Sequence, residues 1–243
     1  MKNKYLLGTA AFSNFDLLQT CVNSWPKNLN RLVIIDRYDP KSPAFTVIPD
    51  DITAVGYREH MGCSTIWNKI ILTAVTTGYD GAIIVGSDTE FKDNFLEEWI
   101  EQFENGNYIF ATTLDQGFNC FGLTLECIEK VGMFDENFFP AYFEDNDYWL
   151  RAKLSGVDIG DIGDATKLEH YGSATIRKSV QCNQANAFSF DLNQRYFWSK
   201  WGAHQDSAIS KFYTTPFNSG NDLRYWERDE AFIQVKREAW EKC

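Results

Sequence analysis

Apolar runs of four to six residues recur through the first half of the chain, at Tyr5–Ala10, Arg31–Ile35, Thr53–Tyr57, Ala82–Val85 and Tyr108–Ala111. Several are apolar on both faces, which a strand tolerates only where other layers cover both sides. Between them Phe15–Trp25, Ser64–Thr76 and Asn94–Phe103 carry helical spacing. This alternation predicts an α/β, doubly wound sheet with crossover helices, and such a sheet offers ligands to the carboxyl ends of its strands.

Beyond Gly156 the texture changes. The stretch GVDIGDIGDATKLEHYGSATIRKS reads as one strand and then a loop, followed by a helix near Ala185–Trp201, a turn-rich link TTPFNSGND and a last helix near Asp222–Trp240. No repeat or low-complexity linker interrupts the 243 residues, a length that buries a sizeable core. The expected organisation is a catalytic domain over 1–180, with a helical extension over 181–243 packed on the same domain.

Two acidic segments carry the chemistry. In VGMFDENFFPAYFEDNDYWLRAKLSG, residues 131–156, five carboxylates fall within thirteen residues: Asp135, Glu136, Glu144, Asp145 and Asp147. Crowded like charges disfavour one another's ionised forms unless a cation or a transferred proton compensates them, which is how a catalytic base or a metal site is built. The plainer alternative is that Glu144, Asp145 and Asp147 cap and charge the first turn of a helix ending near Ser155. The second segment, Ile83-Ile84-Val85-Gly86-Ser87-Asp88-Thr89-Glu90, is an apolar strand that ends in acid. Carboxylates two residues apart at a strand end can face a divalent cation, which takes hard oxygen ligands.

The spaced pattern Val131-Gly132-x-Phe134-Asp135-Glu136-x-Phe138-Phe139, Tyr142-x-Glu144-Asp145-x-Asp147, Arg151 and Gly156 resembles the acceptor-side signature of family 2 glycosyltransferases with the GT-A fold. The resemblance implies a Rossmann-like mixed sheet and an inverting, metal-dependent transfer of sugar from a nucleotide-diphosphate sugar to a carbohydrate or other hydroxyl. It makes Asp145 the base, Glu144 its partner, and Asp147 and Trp149 acceptor-side residues. Asp88 and Glu90 resemble the family's D-x-D motif, with a Glu in the second place, and His170 resembles the histidine that follows the acid cluster. Together these imply a Mn²⁺ or Mg²⁺ site, with Asp88 the firmer ligand. Donor contacts are implied for Thr9, Asp36, Gly62, Asn68, Ser87 and Asp88. Arg177 and Lys178 supply cations for the diphosphate from a closing loop, while Gly62 permits close approach and Ser64 caps the helix beside it. His60 and His204 read as structural.

A net charge of −11 without a Lys/Arg block argues against nucleic acid or anionic membrane as a partner. The opening apolar run is too short for a secretory signal and no segment approaches a membrane span, so a soluble, cytoplasmic chain is expected. Its six cysteines, lacking any C-x-x-C pair, read as thiols, mostly buried. Two rival functions remain. A sugar-phosphate nucleotidylyltransferase wants a Gly-rich basic loop after the first strand, which Leu7-Gly8-Thr9-Ala10-Ala11 lacks; a carbohydrate-binding protein would keep the fold and lose turnover.

Overall fold

A computed structural model describes residues 4–115, 117–172, 179–201, 227–241 and 243. The chain divides into two compact units, the first drawn from the described residues within 1–61, 66–125 and 158–175, the second from those within 62–65, 126–157 and 176–243. Residues 126–157 join the C-terminal helices because buried ion pairs, described below, tie them there.

The first unit holds a seven-stranded sheet of order β3-β2-β1-β4-β7-β6-β8. Its strands are β1 (Tyr5–Ala11), β2 (Asn30–Ile35), β3 (Thr53–Gly56), β4 (Gly81–Gly86), β6 (Phe110–Thr113), β7 (Gly117–Thr124) and β8 (Ile159–Ile162). The strands β3-β2-β1-β4 run parallel, β7 runs antiparallel to both neighbours, and β8 is parallel to β6. This is the expected mixed sheet. A separate two-stranded ribbon pairs β5 (Thr89–Phe91) with β9 (Leu168–His170).

Parallel β1 and β4 are buried along almost their whole length, as their two-faced apolar sequences require. On one face Leu7, Val33, Ile35, Ile83 and Val85 pack with Leu18, Cys21 and Val22 of α1 (Phe15–Asn23) and with Phe95, Trp99 and Phe103 of α3 (Phe95–Asn105). Asn14 caps α1 through its side chain, which accepts from Leu17 N. Elsewhere in the sheet, Gly8 lets Ile70 of α2 (Cys63–Thr76) approach so closely that an added Cβ would lie 2.6 Å from its Cγ2. This glycine packs a helix in mid-strand and forms no phosphate loop.

The second unit contains α4 (Leu125–Val131), α5 (Glu144–Leu154), α6 (Val180–Trp201) and α7 (Glu230–Trp240). The reading of six thiols is corrected here: Cys182 at the start of α6 is disulfide-bonded to Cys243, while Cys21, Cys63, Cys120 and Cys127 are free. Such bridges persist in oxidising compartments, so the cysteines lend no support to a cytoplasmic location. No helix among the described residues is long and apolar enough to cross a membrane. The TTPFNSGND link and His204 lie outside the described residues.

Two glycines separate soft from hard packing. A Cβ at Gly8 meets the γ-methyl of a side chain, Ile70, whereas one at Gly81 would lie 2.2 Å from the Leu123 carbonyl oxygen on the paired strand. Gly8→Ala is expected to cost about 1–3 kcal/mol, the usual range for overpacking. Gly81→Ala costs more, because backbone cannot step aside. Urea unfolding midpoints check the order, and equal or reversed losses would contradict it.

Candidate functional site

In the first unit, β4 delivers its last residues to a turn formed by the partly exposed Ser87 and Asp88. Thr89 anchors that turn, its buried Oγ1 donating to Gly86 O at 2.7 Å. The ribbon then aligns Thr89 with His170 and Glu90 with Glu169, and Tyr171 N donates to Asp88 O at 2.9 Å. The outcome is a close pair: His170 Nε2 lies 3.4 Å from Asp88 Oδ2. Two residues far apart in sequence thus meet through a short antiparallel ribbon.

His170 is oriented from behind. Its Nδ1 lies 3.0 Å from Asn119 Nδ2 on β7. The tautomer sets the roles: with the amide turned so that its oxygen faces the ring, Nδ1 donates and Nε2 keeps the lone pair that a cation would need. Glu90 is engaged differently, its Oε2 accepting from the Tyr171 hydroxyl at 2.7 Å. Among the described residues no three His, Cys, Asp or Glu side chains gather to hold a metal. Asp88 and His170 supply one carboxylate and one imidazole. That donor pair suits Mn²⁺ when the remaining positions go to water and diphosphate oxygens.

Asp36 follows β2 and is almost fully buried, with Oδ1 accepting from Met61 N at 2.7 Å and Oδ2 lying 3.4 Å from His60 Nε2. The Phe12 ring stacks on His60 with centroids 4.6 Å apart. His60 is therefore structural, as read, and it holds Asp36. Thr9, expected as a donor contact, is fully buried and its hydroxyl donates to Val85 O at 2.7 Å, so its side chain joins two strands. Asn68 is buried on α2. Arg177 and Lys178 lie outside the described residues.

In the second unit Gly62 has φ +80, and a Cβ there would sit 2.9 Å from Pro140 O. Positive φ and close approach both require glycine. Ser64 does not cap α2 as expected; it lies inside the first turn with its Oγ buried and without a partner.

The acidic cluster divides sharply by environment. Asp135 is fully buried, with Oδ1 accepting from Asn137 N at 2.9 Å and Oδ2 accepting from Tyr196 Oη at 2.8 Å and Lys200 Nζ at 2.6 Å. Burial opposes its charge, yet the Lys200 ammonium prevails and holds the carboxyl below its ordinary range. Asp147 is equally buried, accepting from Arg151 Nε at 2.8 Å on Oδ2, and on Oδ1 from Lys200 Nζ at 2.7 Å and Trp201 Nε1 at 3.1 Å. Both its oxygens serve these partners, which makes Asp147 a framework residue where an acceptor contact was expected. Glu136 pairs with Arg228.

Among the described residues no cation pairs with Glu144 or Asp145 in this way. Glu144 is 5% exposed, its Oε2 has no hydrogen-bond partner, and burial, then the neighbouring Asp145, pushes its carboxyl well above the usual range. Asp145 is partly exposed and its Oδ1 accepts from Asn146 N at 2.8 Å; burial raises its carboxyl too, against backbone bonds that lower it. The capping alternative is met only in part: Asp145 accepts from a first-turn amide, but the N-cap is Phe143, which has no capping oxygen. Trp149 is exposed, with Lys153 Nζ 3.8 Å from its ring centre.

The sequence reading missed Lys200 and Tyr196, which hold the framework acids. A cation inside the aromatic run RYFWSKW was the available signal, since a Lys among buried rings needs a carboxylate partner.

One consequence concerns acid and base. The native Glu144 carboxyl keeps its proton above the ordinary value of 4.5, where the unfolded chain has released it, so its contribution is full below that pH and is lost as pH rises through the native value. Glu144→Gln, neutral at every pH, is expected to raise the melting temperature at pH 8 and to flatten the decline between pH 5 and 8. Thermal unfolding across that range checks it; a parallel or steeper decline in the variant would contradict the assignment.

No family model matches the chain. It is 44% identical over 169 residues to a galactofuranosyl glycosyltransferase of Leishmania donovani, covering 60% of this chain and 37% of that protein. It is 26% identical over 157 residues to a phosphoribosyl-imidazole-carboxamide isomerase of Prochlorococcus marinus strain MIT 9301, covering 56% of this chain and 60% of that one. The chain thus spans well under two thirds of either relative. Among solved structures, S. aureus TarS superposes with a TM-score of 0.58 at 11% identity, covering 86% of this chain and 41% of TarS. Its piece 1-349, in complex with UDP-GlcNAc, gives a TM-score of 0.58 at 11% identity, with 86% and 69% covered. The two curated relatives carry different activities. The fold is α/β of the GT-A type, as expected.

Proposed function

We propose that this chain is a glycosyltransferase that moves a sugar, with inversion, from a nucleoside-diphosphate sugar to an acceptor hydroxyl. The single observation that carries this reading is the division of carboxylates between Asp88, paired with His170 at a strand end, and Asp145, partly exposed and with no cation paired to it among the described residues. The Leishmania relative's name supports a glycosyl donor, and the TarS complex supports a UDP sugar. UDP-galactofuranose and UDP-GlcNAc are the first donors to try.

In this reading Asp145 accepts the proton of the acceptor hydroxyl as that oxygen bonds to the anomeric carbon and the bond to the diphosphate breaks. A carboxyl raised by burial accepts a proton more readily than a free one, which suits a general base near neutral pH. Burial, then Asp145, pushes the Glu144 carboxyl well above its usual range, which disfavours a second negative charge beside the base. Asp88 and His170 would hold a divalent ion, which when bound offsets the charge of the leaving diphosphate. Asn119 keeps the imidazole oriented for that task. Asp36 and Asn68 are proposed to meet the nucleoside, and Arg177 and Lys178 the diphosphate.

Two variants separate binding from chemistry. Asp88→Ala is expected to abolish Mn²⁺-dependent binding of UDP and UDP sugars by calorimetry with the fold intact, and unchanged affinity would remove Asp88 from the site. Asp145→Asn keeps size and hydrogen bonding but takes no proton. Donor affinity should survive while transfer falls by about 10²–10⁴, the usual contribution of general-base catalysis. Near-normal turnover would send the base assignment elsewhere.

A further inference from the structure

The loop that leads into Glu144 and Asp145 is held in a conformation that its own sequence resists. Tyr142 and Phe143 both have positive φ, 75° and 74°. Bulky side chains rarely adopt that region, and the strain persists only where surroundings enforce it. The N-cap offers no help, since Phe143 makes no side-chain cap bond to α5. Enforcement comes from α6. Asn193 is fully buried, and its Nδ2 lies 3.2 Å from Phe139 O, 2.9 Å from Ala141 O and 3.2 Å from Tyr142 O. One amide group, with two N–H donors to share, thus faces three carbonyls just ahead of the two acids.

Asn193 is oriented in turn from α7. Its Oδ1 accepts from Lys236 Nζ at 2.7 Å, and the same ammonium donates to Asn137 O at 2.5 Å. With Oδ1 fixed by a cation, the amide cannot turn over, and Nδ2 must face the loop. Lys236 is completely buried and lies over the Phe232 ring at 3.8 Å. Burial draws its ammonium down to about 7. A neutral amine still has the two N–H groups these bonds need, so the contact survives deprotonation. The ends of the two helices are linked by the Cys182–Cys243 bridge, and Trp240 Nε1 donates to Ser189 Oγ at 2.9 Å between them.

We infer that the C-terminal hairpin of α6 and α7 is a clamp on the active loop, in which Lys236 fixes the Asn193 amide and Asn193 holds the strained Tyr142–Phe143 turn that sets the direction of Glu144 and Asp145. The inference rests on the transferase reading only for its catalytic consequence. Asn193 and Lys236 are positioning residues and touch no substrate. This gives the C-terminal segment a task in the chemistry that packing alone does not require.

Asn193→Asp preserves volume and its contact to Lys236 but removes the amide donors. In the full chain, hydrogen–deuterium exchange of amides 141–147 should quicken about tenfold while the sheet of the first unit keeps its protection. Transfer kcat should fall by about 10- to 100-fold with donor KM within about twofold, the signature of a displaced base. Lys236→Met, which keeps the stem, should show both effects more weakly and serves alone if Asn193→Asp does not fold. Native exchange in the loop, or faster exchange with unchanged kcat, would overturn the clamp. A wild-type chain that turns over no donor would sink the transferase reading, and the exchange rates would then decide the clamp by themselves.

Discussion

Lys200 bridging two buried carboxylates is the interaction on which the second unit depends. Its ammonium lies 2.6 Å from Asp135 and 2.7 Å from Asp147, and Arg151 closes the group at 2.8 Å from Asp147. Two positive and two negative charges balance in a region that excludes water. Burying such charges is costly, and the arrangement holds because almost every lone pair meets a donor. Removing one member leaves an uncompensated charge, which in buried pairs generally costs about 3–5 kcal/mol. The group also fixes register: it joins the loop after α4, the start of α5 and the last turn of α6.

That framework explains how one acidic cluster serves two purposes. Asp135 and Asp147 are neutralised by cations and unavailable to a substrate. Glu144 and Asp145 pair with no cation among the described residues, and burial favours their protonated forms. Environment, and not residue type, separates the acids paired with cations from the two that are not.

The fold was largely legible because parallel strands covered on both faces must be apolar throughout, and β1, β2 and β4 announce themselves by that run. The antiparallel β7, GFNCFGLT, has no comparable signal, nor do the three-residue strands of the β5–β9 ribbon. The acidic cluster was visible, and so was its tie to function by resemblance. What sequence could not show was the partner of each acid. Lys200 is 65 positions from Asp135 and Asn193 is 51 from Tyr142, and nothing local encodes those meetings. Thr9 shows the converse: a residue near a strand end was read toward the ligand, and the sheet itself takes its hydroxyl.

The most direct test of the central claim follows the sugar itself. Proton NMR of UDP-galactofuranose and UDP-GlcNAc, incubated with the wild-type chain, Mn²⁺ and a panel of sugar acceptors, reads consumption of donor and the configuration of product together. The account predicts that the anomeric signal of one donor disappears, that UDP accumulates in equal amount, and that the new glycosidic signal has the opposite configuration. Donors that remain intact across the panel, or a product that keeps the donor's configuration, would contradict it.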